Sequence, residues 1–226
     1  MAYRLVFVST KNSEIVREEN VQFQYYNGFA LVQKQKSIRS LHESVLRFQS
    51  NAKLLEISTK SDNPIGVMLS AFNITITDSH NNLFSLESVF QGGKIFENGG
   101  PYLDLLNKAP WEAKKDPRLK TSGKLVGFTY DGIAFPTEPK SFFYDWLYVN
   151  AVHQNNRLED AIIRYDAFTD IEFNPNKSIN CQARSAAIFV SLYSMNLLDE
   201  ALQSTASFKA IVYDKHNEQQ EQISMF

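Results

Sequence analysis

Three polar side chains that carry the functional groups needed to cleave a glycosidic bond fall close together between residues 83 and 100. Glu87, Gln91 and Lys94 follow one another at spacings of four and three residues. At 3.6 residues per turn, this spacing puts the acid, the amide and the amine on one face of a helix, with Glu87 and Lys94 roughly 10 Å apart along its axis. Such a face can hold a sugar and attack its anomeric carbon. The alternative is a solvated helix face, where charges at this spacing are common.

The element that positions this set is a predicted helix that begins near Leu86. Ser85 is a suitable N-cap, and Leu86 and Phe90 point away from the polar face, so they can anchor the helix to a core. Gly92 and Gly93 interrupt the helix just before the lysine. Glycine in a helix costs about 1 kcal/mol relative to alanine. We therefore expect a ligand or another element to approach the backbone closely at this point.

The composition favours a folded globular protein of one domain. The chain has 226 residues, of which 43% are hydrophobic and 13% aromatic, and this is enough to bury a sizeable core. A net charge of −2 argues against tight nonspecific binding to nucleic acid, although a local basic patch would still permit a DNA substrate. A single cysteine, Cys181, excludes a disulfide within the chain. The N-terminus has the pattern of neither a signal peptide nor a membrane span, so we expect a cytoplasmic protein with no membrane contact.

Hydrophobic periodicity predicts an α+β fold with helices around short antiparallel strands. It predicts strands over residues 3–8, 53–58 and 73–77, and hairpins over 21–32 and 124–135. The hairpin turns would be Asn27-Gly28 and Asp131-Gly132, which suit type I′ turns. Helices are predicted over residues 37–48, 101–106, 140–153, 158–165 and 180–202. The chain after residue 214 is a polar tail that we expect to fray.

Several familiar catalytic motifs are absent from the sequence. There is no P-loop, no GxGxxG after a strand and no GxSxG elbow. The histidines His42, His80, His153 and His216 lack the spacing of metal ligands, so we expect neither a metal nor a cofactor. Cys181 has no obvious histidine partner and is typical of a small core residue.

Other side chains can complete a site around the predicted helix. Asp170 lies in a polar loop between helices. Tyr144, Trp146 and Tyr148 recur at a spacing of two, so one helix cannot bury all three on one side. We expect at least one of these rings to face a cleft, where it can stack on a base or nicotinamide.

Basic side chains supply candidate phosphate contacts. A basic stretch over residues 108–120 can contact a pyrophosphate or a DNA backbone, or it can be a solvated loop balanced by Glu112 and Asp116. Arg184 lies four residues after Asn180 on a predicted helix and is a further candidate for anion binding. The basic residues of the stretch are Lys108, Lys114, Lys115, Arg118 and Lys120.

Four segments, taken in order, resemble the NADAR family of NAD- and ADP-ribose-associated proteins. FSLESVFQGGKIF resembles the family's EH-x-FQA-x-K helix, and GVMLSAFNITI upstream resembles its LSNF segment. The Asp145-Trp146 pair and the stretch after it resemble the family's DW…K-F-Q-N-x-x-L helix. Asp170 and Asn180 resemble the aspartate and asparagine of its closing D-x-x-W-G…G-x-N-x-L-G segment. Each motif is short, but their order extends over residues 66–191, which is more than half of the chain.

Departures from the family pattern indicate a divergent branch. Ser88 stands where the family has a histidine, Ile179 replaces the closing glycine, and IEFNP replaces the Trp-Gly after the aspartate. The segment FQYYNGFALVQKQKSIRSLHES resembles the branch found beside DarT-type DNA ADP-ribosyltransferase toxins, the DarT-associated NADAR antitoxins. Residues 1–60 would then be an extension packed on a core over residues 61–213, with a polar tail over residues 214–226.

The resemblance implies an N-glycosidase that removes ADP-ribose from guanine bases of ADP-ribosylated DNA and so reverses the toxin. Carried onto this sequence, Glu87, Lys94 and Asp170 become the catalytic residues. ADP-ribose is the implied product, and a DarT-type toxin is an implied partner. The expected substrate contacts are Gln91, Phe90, Trp146 and Asn180, with Arg118 and Arg184 as candidate anion contacts.

Two alternative functions stay open at this point, and so does the role of Lys94. The enzyme can instead hydrolyse a free small N-glycoside, such as a riboflavin-pathway intermediate or an NAD-derived nucleotide. The chain can also be a binding module that recognises ADP-ribose without hydrolysis or neutralises a toxin by contact. Within the enzyme hypothesis, Lys94 acts either as a cation or as a neutral amine that attacks the anomeric carbon. The neutral amine needs a pKa lowered by burial, and the charge of Glu87 opposes that change.

Overall fold

The structure, a computed structural model, describes residues 1–12, 14–176 and 178–214. Its strands are β1 (Ala2–Ser9), β2 (Val16–Phe23), β3 (Leu54–Glu56), β4 (Thr75–Thr77), β5 (Leu83–Ser85), β6 (Lys94–Phe96), β7 (Leu125–Tyr130), β8 (Ile133–Phe135) and β9 (Ala167–Thr169). Its helices are α1 (Leu31–Leu46), α2 (Pro64–Met68), α3 (Leu86–Gly92), α4 (Pro110–Lys115), α5 (Arg118–Thr121), α6 (Phe142–His153), α7 (Asn156–Ile162), α8 (Gln182–Ser194), α9 (Leu198–Leu202) and α10 (Thr205–Lys209). A 3₁₀ helix covers Leu103–Asn107, and a π-helical segment covers Ala210–Asp214.

The largest sheet joins the N-terminal strands to a strand from the second half of the chain. Its order is β2-β1-β9-β3, with β1 antiparallel to both of its neighbours and β3 parallel to β9. Side chains of β1 alternate between two cores, as the two-residue period of a strand requires. Val6 and Val8 pack toward Ile38 and Leu41 of α1, whereas Phe7 packs into the main core. The N-terminal region and β9 therefore share one sheet.

Two small antiparallel sheets lie elsewhere in the chain. The strands β4 and β5 pair directly before α3, and β6 pairs with β7, which continues into β8. Asp131 and Gly132 connect β7 and β8 with φ angles of 50° and 77°. A type I′ turn requires positive φ at both of these positions, so the predicted hairpin over residues 124–135 is confirmed.

The main core forms around α6 and α8, which pack against each other. Leu147 and Val149 of α6 and Ala186 and Phe189 of α8 are fully buried. Because these helices pack together with the short strands described above, the predicted α+β fold is confirmed. None of the helices within the described residues has the length and apolar character needed to cross a membrane.

Three predicted elements differ from the structure. The hairpin predicted over residues 21–32 is wrong, because β2 ends at Phe23 and pairs with β1, and Leu31 begins α1. The long helix predicted over residues 180–202 is two helices, because Asn196 adopts a positive φ of 56° that ends the first. The helix of the Glu87 set ends at Gly92, so Lys94 lies on β6.

Two further predictions, the fraying of the tail and the division of the chain at residue 60, are not tested by the structure. The predicted fraying of the tail concerns residues that, after Asp214, lie outside the described part of the chain. The division of the chain at residue 60 stays a prediction.

Candidate active site

Helix α3 carries three of the predicted site residues, Glu87, Phe90 and Gln91, and is itself buried. Ser85 accepts a hydrogen bond from the backbone N–H of Ser88 at 3.1 Å, which confirms the predicted N-cap. Glu87 in the first turn is 4% exposed, and Gln91 is also buried. The positive end of the helix dipole favours a carboxylate at this position. The polar face of the helix is therefore turned into the protein instead of toward solvent.

Another element approaches the backbone closely at each of the two glycines, as expected: residues 102–106 at Gly92 and strand β7 at Gly93. The N–H of Thr129 on β7 donates to the carbonyl of Gly93 at 2.7 Å. A Cβ atom on Gly93 would lie only 2.3 Å from the carbonyl oxygen of Thr129. No side chain fits there, so glycine lets the chain leave α3 and enter β6 directly.

Lys94 reaches the helix residues from this strand. Its Nζ donates to Gln91 Oε1 at 2.6 Å, and Gln91 Nε2 donates to Glu87 Oε1 at 2.8 Å. Lys94 Nζ also lies 4.6 Å from the centroid of the Phe90 ring. The amide of Gln91 thus links the amine to the carboxylate, although the three side chains do not share one helix.

A second lysine approaches the same carboxylate. Lys114 Nζ, from α4, lies 3.4 Å from Glu87 Oε1 and 5.1 Å from the centroid of the Phe72 ring. Burial lowers the pKa of Lys94 to about 8. The charge of Glu87 opposes this decrease, and the positive charge of Lys114 adds to it. About a tenth of Lys94 is therefore a neutral amine at pH 7.

Asp170 follows β9 directly and enters the same region from the other side. Its Oδ1 accepts hydrogen bonds from the backbone N–H groups of Glu172 at 3.0 Å and Phe173 at 3.1 Å. Its Oδ2 accepts from Gln182 Nε2 at 3.0 Å. Gln182 also donates to the carbonyl of Ile57, so it ties the aspartate loop to the chain after β3. Asp170 is held in one orientation by these contacts.

A second buried carboxylate lies behind Asp170. Glu56 on β3 accepts hydrogen bonds from the hydroxyls of Ser58 at 2.7 Å and Thr169 at 2.6 Å and from the N–H of Ile171 at 2.8 Å. Burial, together with the charge of Glu56, raises the pKa of Asp170 well above its usual range. Burial also raises the pKa of Glu56. The raised pKa favours the protonated form of Asp170 near neutral pH, in which it can donate a proton.

These groups line one cavity of about 850 Å³, which is within the range of roughly 300–1,000 Å³ typical of small-molecule sites. Glu87, Gln91, Lys94 and Asp170 all contribute to its wall. Its aromatic part consists of Phe72, Phe90, Phe128, Tyr144 and Phe173. Exposed lysines at its rim are Lys114, Lys124 and Lys140.

Two further predicted contacts also lie at this cavity. Phe90 contributes to the wall and packs against Tyr144 at 5.2 Å between ring centroids, edge to face. Asn180 lines the cavity, and its Oδ1 is buried with no hydrogen-bond partner among the described residues. A buried acceptor without a partner is costly, so a donor from a bound molecule would satisfy it.

Three predicted substrate contacts do not line the cavity. Trp146 packs on Phe135, with ring centroids 5.1 Å apart, on another side of α6. Arg118 forms ion pairs with Asp104 at 2.7 Å and Asp116 at 2.9 Å, which occupy its guanidinium group.

Arg184 is the third, and it pairs with the fully buried Asp145. Asp145 also accepts hydrogen bonds from the hydroxyls of Ser185 and Tyr213, both at 2.5 Å. Asp145 therefore connects α6 to α8 and to the π-helical segment Ala210–Asp214, and neither it nor Trp146 lines the cavity.

Sequence reasoning did not select several residues of the wall. Tyr144 is the ring of the spacing-two set that lines the cavity, whereas Tyr148 is buried and donates to the carbonyl of Leu69 at 2.9 Å. The alternation of these aromatics showed that one would face a cleft, but not which one. Gln182 and Ser58 had no signal in the sequence, because their role comes from contacts between distant segments.

Two surface turns, between β4 and β5 and between β7 and β8, bring together potential metal ligands that the sequence spacing did not suggest. Ligand atoms of Asp78, His80 and Asp131 lie within 4.8 Å of one another. The carboxylate of Asp78 accepts hydrogen bonds from the backbone of His80 and Asn82, and Asp131 accepts from Ser79. Hydrogen bonds within and between the turns therefore explain why these side chains lie together. None of the three residues lines the cavity.

Comparison with known families gives one match over nearly the whole chain. A family model described as DarT1-associated NADAR antitoxin matches residues 2–222. A search of curated proteins gives no match.

Proposed function

The chain belongs to the family of DarT1-associated NADAR antitoxins, and from that premise we propose that it is an N-glycosidase that removes ADP-ribose from guanine bases in DNA. The observation that carries the proposal is the arrangement inside one cavity of a lysine with a lowered pKa, a carboxylate linked to it and a buried aspartate with a raised pKa. The family description supports an antitoxin role and a DarT-type toxin as the associated protein.

Lys94 is the proposed nucleophile. Its neutral amine attacks C1″ of the distal ribose, so a bond forms between C1″ and Nζ as the bond from C1″ to the guanine nitrogen breaks. The departing guanine nitrogen needs a proton, and the proposed donor is the protonated carboxyl of Asp170, which lines the same cavity. The attached nitrogen then returns one proton to the Asp170 carboxylate, and its second proton passes to O4″ as the C1″–O4″ bond breaks and the sugar ring opens to an imine. Addition of water to the imine then releases ADP-ribose and restores the lysine.

Glu87 is the proposed electrostatic partner of this reaction. Positive charge develops at C1″ while the glycosidic bond breaks, and a carboxylate close by stabilises that charge. Gln91 donates to Glu87 and accepts from Lys94, so it orients both groups. The exposed ammonium groups of Lys124 and Lys140 at the rim are the proposed contacts of the pyrophosphate.

The test uses an ADP-ribosylated DNA oligonucleotide, free ADP-ribosyl-guanosine and NAD as separate substrates, with released ADP-ribose measured by mass spectrometry. We expect turnover of the modified guanine and loss of about 10³-fold or more with Lys94→Ala. Lys94→Arg keeps a positive charge but provides no nucleophile, and it should lose as much. Glu87→Gln should lose about 10²-fold or more. Lys36→Ala, an exposed lysine on α1, is the matched control and should turn over normally.

Trapping with borohydride identifies the covalent step. Reduction of the imine should leave ADP-ribose attached to Lys94, which peptide mass mapping detects. Normal activity of Lys94→Arg without a trapped adduct would show that the lysine acts as a cation. Turnover of NAD alone would favour a free nucleotide as the substrate. Binding of ADP-ribose with no turnover of any substrate would favour a binding module.

A further inference from the structure

An exposed tryptophan lies beside the cavity on helix α4. Trp111 is 56% exposed, which is unusual for the largest apolar side chain. Ala113, on the opposite side of the same helix, is fully buried against the body of the protein. The helix is thus anchored by its inner face, and the indole ring is held outward on a fixed element.

The neighbours of this ring are positively charged. Lys114, three residues later on the same flank, lines the cavity and contacts Glu87. Lys115, one turn after Trp111, places its Nζ 5.7 Å from the centroid of the indole ring. Glu112, the acidic residue of the helix, accepts from the backbone N–H of Ala109 at 3.3 Å and so faces the helix start. The indole ring therefore lies beside the ammonium group of Lys115, on a helix whose Lys114 reaches the cavity wall.

The cavity is of a size for the modified nucleotide alone, so the DNA strand on either side of it must contact the protein surface outside the cavity. Its volume of about 850 Å³ suits one small molecule, such as ADP-ribose with the base that carries it. A base that enters such a site must leave the stack of its strand, and its neighbouring nucleotides then remain outside. Surfaces that hold single strands combine aromatic rings, on which bases stack, with lysine or arginine contacts to the phosphates.

We propose that Trp111 and Lys115 form the contact surface for the DNA single strand that flanks the modified guanine, with a neighbouring base stacked on the indole and a phosphate held by the lysine. This inference rests on the proposed function, which supplies the modified DNA as the substrate. It adds the part of the substrate that lies outside the cavity, and it explains why a chain with a net charge of −2 still presents lysines around this mouth. The strand, and not only the modified nucleotide, then contributes to recognition.

The kinetic test compares a modified single-stranded oligonucleotide with free ADP-ribosyl-guanosine, which has no flanking strand. For Trp111→Ala, the ratio of kcat/KM on the oligonucleotide to kcat/KM on the nucleoside should fall about tenfold, mainly through KM. Trp111→Phe keeps an aromatic face and should restore most of this ratio. Lys115→Ala should reduce the ratio at low salt and lose its effect as salt rises. An unchanged ratio for Trp111→Ala would overturn the proposal.

Two controls and one binding measurement complete the design. Phe29→Ala removes a fully exposed ring on the chain before α1, and Lys36→Ala removes an exposed lysine, and neither should change the ratio. Fluorescence anisotropy with an unmodified DNA single strand should show about tenfold weaker binding for Trp111→Ala than for the wild type. This measurement needs no turnover, so it decides the surface even if the glycosidase proposal fails. Equal binding by both proteins, or tighter binding of an RNA strand than of DNA, would overturn it.

Discussion

At the scale of single residues, the central question is the charge of Lys94. The sequence showed two opposing effects, since burial favours a neutral amine and Glu87 favours the ammonium. In the structure burial is the larger effect, and the pKa falls to about 8 although Gln91 connects the two groups. At pH 7 about a tenth of Lys94 is then neutral. This fraction is large enough for a nucleophile and would be negligible at the ordinary pKa of a lysine.

The first prediction concerns the pH dependence of this step. If neutral Lys94 is the reactive form, kcat should rise with pH toward about 8, and it should fall again at higher pH as Asp170, whose pKa burial raises to about 8, loses the proton that the leaving guanine needs. The charge of Lys114 helps to lower the pKa of Lys94. Lys114→Met removes that charge, so the ammonium form of Lys94 becomes more favourable and its pKa rises. The midpoint of the rising limb should therefore move to higher pH, by about 0.3–1 pH unit.

The matched control for this prediction is Lys124→Met, which removes another rim lysine that is not among the causes of the lowered pKa. This variant should change KM without shifting the midpoint of the rising limb of the pH profile. Rates of the three proteins between pH 6 and pH 10, on saturating modified oligonucleotide, provide the measurement. A limb that keeps its position in Lys114→Met, or moves to lower pH, would contradict the assignment of Lys94 as the titrating group.

At the scale of elements, the start of α3 could be predicted and its end could not. Ser85 caps the helix through a local hydrogen bond, which sequence spacing reveals. The end depends on β7, whose Thr129 pairs with Gly93 and draws the chain into β6. The sequence placed Lys94 two turns along a helix, whereas the structure brings it to Gln91 from a strand. The set of residues was therefore recognisable from its spacing, but the way it is assembled was not.

The sequence also could not show which side chains of helix α6 face the cavity. Its aromatic residues at a spacing of two predicted that one would face a cleft, and Tyr144 does. Trp146 resembled a substrate contact, but Phe135 on β8 covers it. Arg184 resembled an anion site, but Asp145 neutralises it. These outcomes depend on which elements pack against α6 and α8, and a pattern within one segment does not contain that information.

The second prediction tests Asp145 as a connection between elements. The carboxylate is fully buried and accepts from Arg184, Ser185 and Tyr213. Asp145→Ala removes the buried partner of Arg184 and leaves only the more exposed Glu18, at 3.6 Å, and breaking a buried pair in this way costs about 3–5 kcal/mol. Urea unfolding should show this loss of unfolding free energy. Asp199→Ala, an exposed acid on α9, should cost less than about 1 kcal/mol, and equal losses for the two variants would contradict the prediction.

At the scale of the whole molecule, the site is assembled by the sheet and the core together. Asp170 follows β9, which lies between β1 from the N-terminus and β3. Glu56 and Ser58, from β3 and the chain after it, support the aspartate from behind. Glu87 and Lys94 come from the other side of the cavity. A mixed fold was predictable from local periodicity, but the pairing of β1 with β9 joins residues about 160 positions apart and leaves no local signal.

The last prediction follows from this shared sheet. Phe7 on β1 is 2% exposed, pairs with Phe168 of β9, and packs edge to face on Phe173 of the cavity wall at 6.4 Å. Phe7→Ala should lower the unfolding free energy by about 3–5 kcal/mol in a single transition. The circular dichroism of the helices and the fluorescence of the tryptophans should report the same midpoint, because one core unfolds as a unit. Tyr3→Ala, at an exposed position of the same strand, should change stability by less than about 1 kcal/mol. Two separate transitions in Phe7→Ala would instead show that the N-terminal strands unfold independently of the part that carries Glu87 and Lys94.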